Sequence, residues 1–196
     1  MLYVGLDMSL TGSGVSTKEG TNVFVTTIKT APKDFKNDLE RYRYIVEKAF
    51  GYIKETPDKT FICIEDVFVP QNKMQINAAM KLIGLAYLIR SRLYEAGYKF
   101  YIPAPSQVKK FVSGKGTCPK DQVTKEVYKR WGVDTKDDNQ ADACCMAYFA
   151  EALHAYLQDE KSVLNLPKAQ AEVIKAVALE RPAYNVPNAV VVLADE

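Results

Sequence analysis

Histidine is nearly absent from this chain: His154 is the only one in 196 residues. A His-ligated zinc site and a Ser-His-Asp triad are therefore poor fits, and any chemistry is expected to rest on carboxylates. Cysteine is sparse. Cys63, Cys118, Cys144 and Cys145 form no C-x-x-C pair, and they read as buried, reduced thiols. No apolar run reaches the roughly 18 residues that a membrane span needs, so no membrane segment is expected. No basic n-region followed by a long apolar stretch follows Met1, so no signal peptide is expected. Neither sign of charge dominates. The 26 Lys and Arg against 24 Asp and Glu give a net +2, which excludes a polycationic tail. With 47% hydrophobic and 26% charged residues, the composition excludes wholesale disorder and suits one ordinary domain with a small appendage.

What is present is patterned. Residues 2–7 alternate, with Leu2, Val4 and Leu6 on one face and Tyr3, Gly5 and Asp7 on the other. Ser9 to Gly14 reads as a tight turn, and strand-like runs follow near 14–18 and 22–29. Helical spacing covers Lys33 to Glu55. Thr60 to Asp66 is strand-like, Met74 to Ala96 a long apolar helix, and Lys99 to Ile102 a short strand. Helices are then expected near 105–113, 119–131 and 138–157, with Pro119 at a first helical position. The order predicts an α/β fold, a mixed sheet with helices on both faces. Residues 161–196 look like a separate C-terminal extension, with a further helix over 167–179, so the domains expected are 1–160 and 161–196.

Charge is unevenly spread. Residues 101–130 hold seven bases against two acids, a net +5; residues 134–160 hold seven acids against one base, a net −6. Such a junction suits a site that holds a polyanion beside cations. Three acids also stand where packing rarely places them. Asp7 and Glu65 end apolar strands, and Asp142 lies within Ala141-Asp142-Ala143-Cys144-Cys145 on an apolar helix. Asp138 and Asn139 precede Asp142 by four and three residues and can share its helix face. Converging oxygens from two strand ends and one helix would make a Mg²⁺ or Mn²⁺ site. Taken singly, each has a plainer reading: Asp7 a turn residue, Glu65 an edge acid, Asp138 a helix N-cap.

These residues carry a resemblance. Gly5-Leu6-Asp7-Met8-Ser9-Leu10-Thr11-Gly12-Ser13-Gly14-Val15 resembles the first strand-turn-strand of RuvC-type Holliday junction resolvases, within the RNase H-like superfamily. Ile64-Glu65-Asp66-Val67-Phe68 is similar to the second carboxylate strand and its following aromatic. Pro105 to Lys109, Gly114-Lys115-Gly116 and Lys120 to Val123 match the basic segment, and Asn139 to Ala143 the last metal-binding helix. The likeness runs from about residue 2 to 157, in the style of the bacteriophage-type branch. It implies an RNase H-like five-stranded sheet and paired symmetric nicks in four-way DNA junctions, in the service of recombination and repair. The ends would be 5′-phosphate and 3′-hydroxyl, and the location cytoplasmic, that of the host cell if the source is viral. It further implies two Mg²⁺ ions per site, replaceable by Mn²⁺, with Asp7 bridging and Glu65 and Asp142 on either side. Lys109 and Lys120 would contact the phosphate near the cut. Phe68 would stack on an unpaired base, and Lys110, Gly114, Lys115 and Gly116 would approach DNA. The 74–96 helix would build a homodimer.

One departure stands out. Many relatives carry the fourth ligand three residues before the last Asp, where this chain has Asn139. Asp138 is favoured as the fourth ligand over Asn139 because an anionic oxygen holds a hard cation better. Three other readings compete: an RNase H-like enzyme cutting RNA–DNA hybrids, a sugar kinase or actin-like ATPase, and a non-catalytic binder of branched DNA. The chain is too short for the second, which needs another lobe and phosphate loop. The intact acids speak against the third.

Overall fold

A computed structural model describes residues 1–67 and 73–179. Five strands make one sheet in the order β3-β2-β1-β4-β5: β1 (Leu2–Asp7), β2 (Gly12–Glu19), β3 (Asn22–Lys29), β4 (Thr60–Ile64) and β5 (Phe100–Tyr101). The first three form an antiparallel meander, while β4 runs parallel to β1, and β5 parallel to β4. This is the mixed sheet that the element order predicted.

The alternation of β1 divides the core into two layers. Leu2, Val4 and Leu6 pack with Ile62 and Ile64 against α1 (Asp38–Phe50) and α2 (Lys73–Glu95). Helix α1 is shorter than the 33–55 that its periodicity predicted. Pro32–Asp34 form a separate 3-10 turn, and Asn37 starts the helix by accepting from Glu40 N at 2.9 Å. The opposite face of the sheet is covered by α5 (Asp138–Gln158). Behind it lie α3 (Pro105–Ser113), α4 (Lys120–Trp131) and α6 (Lys168–Leu179). Pro119 is the residue before α4, one position earlier than expected.

Helix α5 lies unusually close to the sheet. A Cβ at Gly5 would fall 2.1 Å from Ala143 O, and one at Gly14 would fall 2.0 Å from Asn139 O. Only glycine fits beneath a helix at that separation. The start of α5 and a point past its middle are also tied to the meander. Thr27 Oγ1 donates to both Asp137 carboxylate oxygens at 2.8 and 2.9 Å, and the buried Lys18 meets Glu151 at 2.5 Å.

The described part of the C-terminal extension joins this second layer. Val163, Val173, Ile174 and Val177 are buried in the same cluster as Phe111 and Phe149. Gln170 Nε2 donates to Phe111 O at 2.8 Å, so α6 seats on α3. Pro182, Pro187 and the apolar run 189–194 lie outside the described residues, as does Phe68.

Gly5→Ala and Gly14→Ala should each lower stability by about 2–3 kcal/mol or more, roughly 5–10 °C in the thermal midpoint. Thermal unfolding followed by circular dichroism checks this. An unchanged midpoint in both would contradict the close approach of α5.

Candidate active site

The register that builds the sheet also builds the site. Leu6 pairs with Ile64, so the next residue of each strand stands beside the other: Asp7 and Glu65. Glu65 N donates to Leu6 O at 3.0 Å, which keeps that register one residue beyond β4. From above, α5 brings Asp142 to the same place, because its neighbour Ala143 is seated on Gly5. A cleft of about 270 Å³ opens there, and Asp7, Glu65, Asp142, Asn139, Lys109 and Lys120 are among its walls. Lys109 comes from α3 and Lys120 from the first turn of α4.

Crowding of like charge dominates the cleft. Burial, then the charges of Glu65 and Asp142, hold the Asp7 carboxyl well above the usual carboxylate range. Burial and the charge of Asp142 push Glu65 up to about 7, against the opposing pull of Lys109 and Lys120. Asp142 is raised by burial, and the same two lysines oppose it. Asp7 and Glu65 stand side by side at the ends of β1 and β4, and the charge of one raises the cost of ionising the other. Burial and mutual repulsion thus oppose ionisation of both carboxyls at once.

Among the described residues, no three His, Cys, Asp or Glu side chains are drawn together as a ready-made cation cage. The donor set still fits a hard divalent ion. It is all oxygen, and its charge is only partly balanced by two lysines, Lys109 and Lys120. His154 lies elsewhere, beside Tyr3 and Phe61, and all four cysteines are free and buried.

The surrounding backbone is firmly held. Ser13 Oγ donates to Ser9 O at 2.6 Å and accepts from Ser9 N at 3.0 Å, closing the turn after Asp7. The buried Arg41 donates to Leu10 O and, at 2.9 Å, to Thr30 Oγ1, pinning that turn to the end of β3. Asp137 caps α5 by accepting from Gln140 N at 3.0 Å. The Asp137 cap, itself held by Thr27, fixes the start of α5, where one of two neighbouring residues faces the cleft. Asn139 does, packed over Gly12. Asp138, favoured from sequence as the fourth ligand, is not on the cleft wall. Its carboxylate is half exposed, 4.0 Å from Lys120 Nζ.

Other expected residues are dispersed. Lys110 does not line the cleft and pairs with Glu172 of α6 at 2.9 Å. Gly114 ends α3 in the left-handed region with φ +81°, Lys115 is exposed, and Gly116 packs against Ser106. Phe68 is outside the described residues. Sequence reasoning missed Asp66, a further acid on the cleft wall, although its position directly after Glu65 was a signal. It also missed Arg41 and Thr27, whose partners lie far away in the chain and left no local signal.

Comparison with known proteins follows this geometry. Residues 4–149 match the family model described as "Crossover junction endodeoxyribonuclease RuvC". Relatives with that same description include one from Nocardia farcinica, 30% identical over 155 residues that span 75% of this chain and 79% of the relative. Another, from Mycobacterium ulcerans, is 29% identical over 155 residues, spanning 75% and 81%. Among solved structures, "T. thermophilus RuvC in complex with Holliday junction substrate" superimposes with a TM-score of 0.59 at 21% identity, over 81% of this chain and 96% of that one. A second Thermus thermophilus RuvC structure gives a TM-score of 0.56, also at 21% identity, over 81% and 97%. At that identity the likeness to the solved structures establishes the fold, the mixed five-stranded sheet with helices on both faces.

Neutralising one crowded carboxylate should relieve the repulsion. Asp7→Asn is expected to stabilise the metal-free protein by on the order of 1 kcal/mol, about 2–4 °C in the midpoint. The same variant should lose most of any stabilisation by added Mg²⁺. Thermal scans in EDTA and in Mg²⁺ test both, and a variant less stable than wild type in EDTA would contradict the crowding.

Proposed function

The chain belongs to the RuvC family of crossover junction endodeoxyribonucleases, and on that premise we propose that it is a DNA endonuclease that resolves four-way junctions by paired symmetric nicks. The observation that carries this reading is the convergence of Asp7, Glu65 and Asp142 from two strand ends and one helix, faced by Lys109 and Lys120. Branched DNA as substrate is supported by the relative solved with a Holliday junction. The ends are 5′-phosphate and 3′-hydroxyl.

Asp7, Glu65 and Asp142 would hold two Mg²⁺ ions, or Mn²⁺ in their place. Asn139 offers a neutral fourth oxygen from the cleft wall. When bound, such ions supply Lewis acidity that generates a nucleophile from water and stabilises charge on the phosphate and leaving oxygen. The protein's own residues do the rest. Lys109 and Lys120 attract the scissile phosphodiester and balance its charge opposite the carboxylates. Ser13 and Arg41 hold the turn after Asp7, so that Asp7 enters the cleft in one orientation. Asp138 beside Lys120 restrains that lysine at the cleft mouth. The exposed bases of α4, Lys125, Lys129 and Arg130, continue a cationic surface away from the cut, in keeping with a backbone-tracking DNA contact.

Two nicks need two sites, and a two-fold dimer supplies them. Met80, Tyr87 and Tyr94 are exposed at 64%, 58% and 43%, seven residues apart along α2. A heptad-spaced apolar stripe of this kind favours helix pairing with a second copy. No helix among the described residues is long and apolar enough to cross a membrane.

Asp7→Asn should lower cleavage by on the order of 10³-fold or more, while junction affinity in EDTA stays within about twofold. Lys109→Ala and Lys120→Ala should each slow cleavage by about 10- to 100-fold. Gel assays on four-way junctions, flaps, forks and RNA–DNA hybrids check these expectations. Undiminished cutting by Asp7→Asn, or cutting of hybrids alone, would refute the reading.

A further inference from the structure

Behind the cleft stands a buried cation that none of the chemistry above uses. Arg90 of α2 is only 8% exposed. Its Nη2 donates to Asp66 Oδ1 at 3.1 Å, and Val67 N donates to the same oxygen at 2.9 Å. Asp66 directly follows Glu65 and lines the cleft with it. The segment leaving β4 is thereby tied on three sides. Glu65 N holds Leu6 O of β1, Asp66 N holds Pro103 O at 3.1 Å, and the Asp66 carboxylate holds α2. The first two ties are main-chain bonds that almost any residue could make. The third depends on these two side chains.

Packing alone does not account for an arginine here. Arg90 Nε is buried without a hydrogen-bond partner among the described residues, a cost that a leucine or methionine of similar volume would avoid. Among the described residues its charge has one acidic partner, and that partner is adjacent to Glu65. The guanidinium also lies 5.7 Å from the ring of Tyr87, which belongs to the exposed stripe of α2. A continuous set of contacts therefore runs from the outer face of α2 to the residue beside a cleft carboxylate. The pair has a second consequence: an unneutralised Asp66 would add another negative charge to a cleft already crowded by Asp7, Glu65 and Asp142.

We propose that Arg90 and Asp66 are positioning residues, an ion-paired strut by which α2 fixes the direction in which the chain carries Glu65 into the cleft. The proposal rests on the reading of that cleft as the nuclease site. It makes α2 a support of the active site as well as the face offered to a second copy.

The test uses Arg90→Met, Arg90→Lys, Asp66→Asn and the Arg90→Met/Asp66→Asn double variant of the full chain. Amide hydrogen exchange, read without metal or DNA, should show the Asp66 and Val67 amides exchanging about tenfold faster or more in Arg90→Met, with β1 unchanged. Single-turnover cleavage of a four-way junction should slow by roughly 10- to 100-fold in Arg90→Met and in Asp66→Asn, with junction affinity in EDTA within about twofold of wild type. Arg90→Lys should recover part of the rate, and the double variant should be no slower than either single one. Wild-type exchange and rate in Arg90→Met would overturn the strut. So would a slow Asp66→Asn beside a normal Arg90→Met, since Asp66 would then act alone. Should Arg90→Met not fold, amide exchange in Asp66→Asn decides, because its carboxylate is half exposed and its loss leaves no cavity; wild-type exchange at Val67 there would overturn the strut. A wild-type protein that cuts no branched DNA would refute the nuclease reading, whereas the exchange experiment judges the strut without any substrate.

Discussion

The structure depends on how closely α5 can lie on the sheet. Gly5 and Gly14 let its backbone descend to where a Cβ on either strand would collide with Ala143 O or Asn139 O. Alanines on the underside of the helix, Ala143 and Ala147, complete that contact. The separation sets how far Asp142 stands above Asp7 and Glu65. A larger residue at either glycine would lift the helix and take the third carboxylate out of reach of the other two. Thr27 and Lys18 then lock the start of α5 and a point past its middle to β3 and β2, so its rotation is fixed together with its height. The cleft is a by-product of packing at a single interface, which is why its geometry is held by residues that do no chemistry.

Electrostatics oppose that arrangement. Packing brings three acids together with too few positive partners, and the carboxyls respond by holding protons above their ordinary range. The fold tolerates this because the strain is local and the two hydrophobic layers around it are extensive. The near-neutral net charge of +2 conceals the division. A basic segment supplies Lys109 and Lys120 to one wall, and an acidic helix supplies the other. Protonation is only one way to balance such a site, and divalent cations with a bound polyanion balance it better.

The helices behind α5 extend the support outward. Helix α3 carries Lys109 on one side and receives α6 on the other through Gln170 and Glu172. The curated relatives described above align with about three quarters of this chain and the family model ends at residue 149, so α6 lies beyond what the family match covers. In this chain the extension serves as packing for the basic wall, and Lys110 is committed to it.

Much of this was legible in the sequence. Period-two alternation in β1 and β4 placed Asp7 and Glu65 on one face, since a strand has no other way to distribute its side chains. Helical spacing found the six α-helices among the described residues, although it made α1 too long, since the local cap at Asn37 sets its start, and it missed the short 3-10 turns. The choice between Asp138 and Asn139 was not legible. Chemistry favoured the anion, but the rotation of α5 is fixed by Thr27, some 110 positions away, and that rotation turned Asn139 inward. The partner of Lys110 was hidden for a similar reason: Glu172 lies on α6. No local period links Asp66 to Arg90; the fold brings them together across 24 positions. The sequence by itself determined which residues share a strand or helix face, because that follows from local geometry. Only the tertiary structure decided which of those faces meet and which charges are paired, because those contacts join residues that no local period connects.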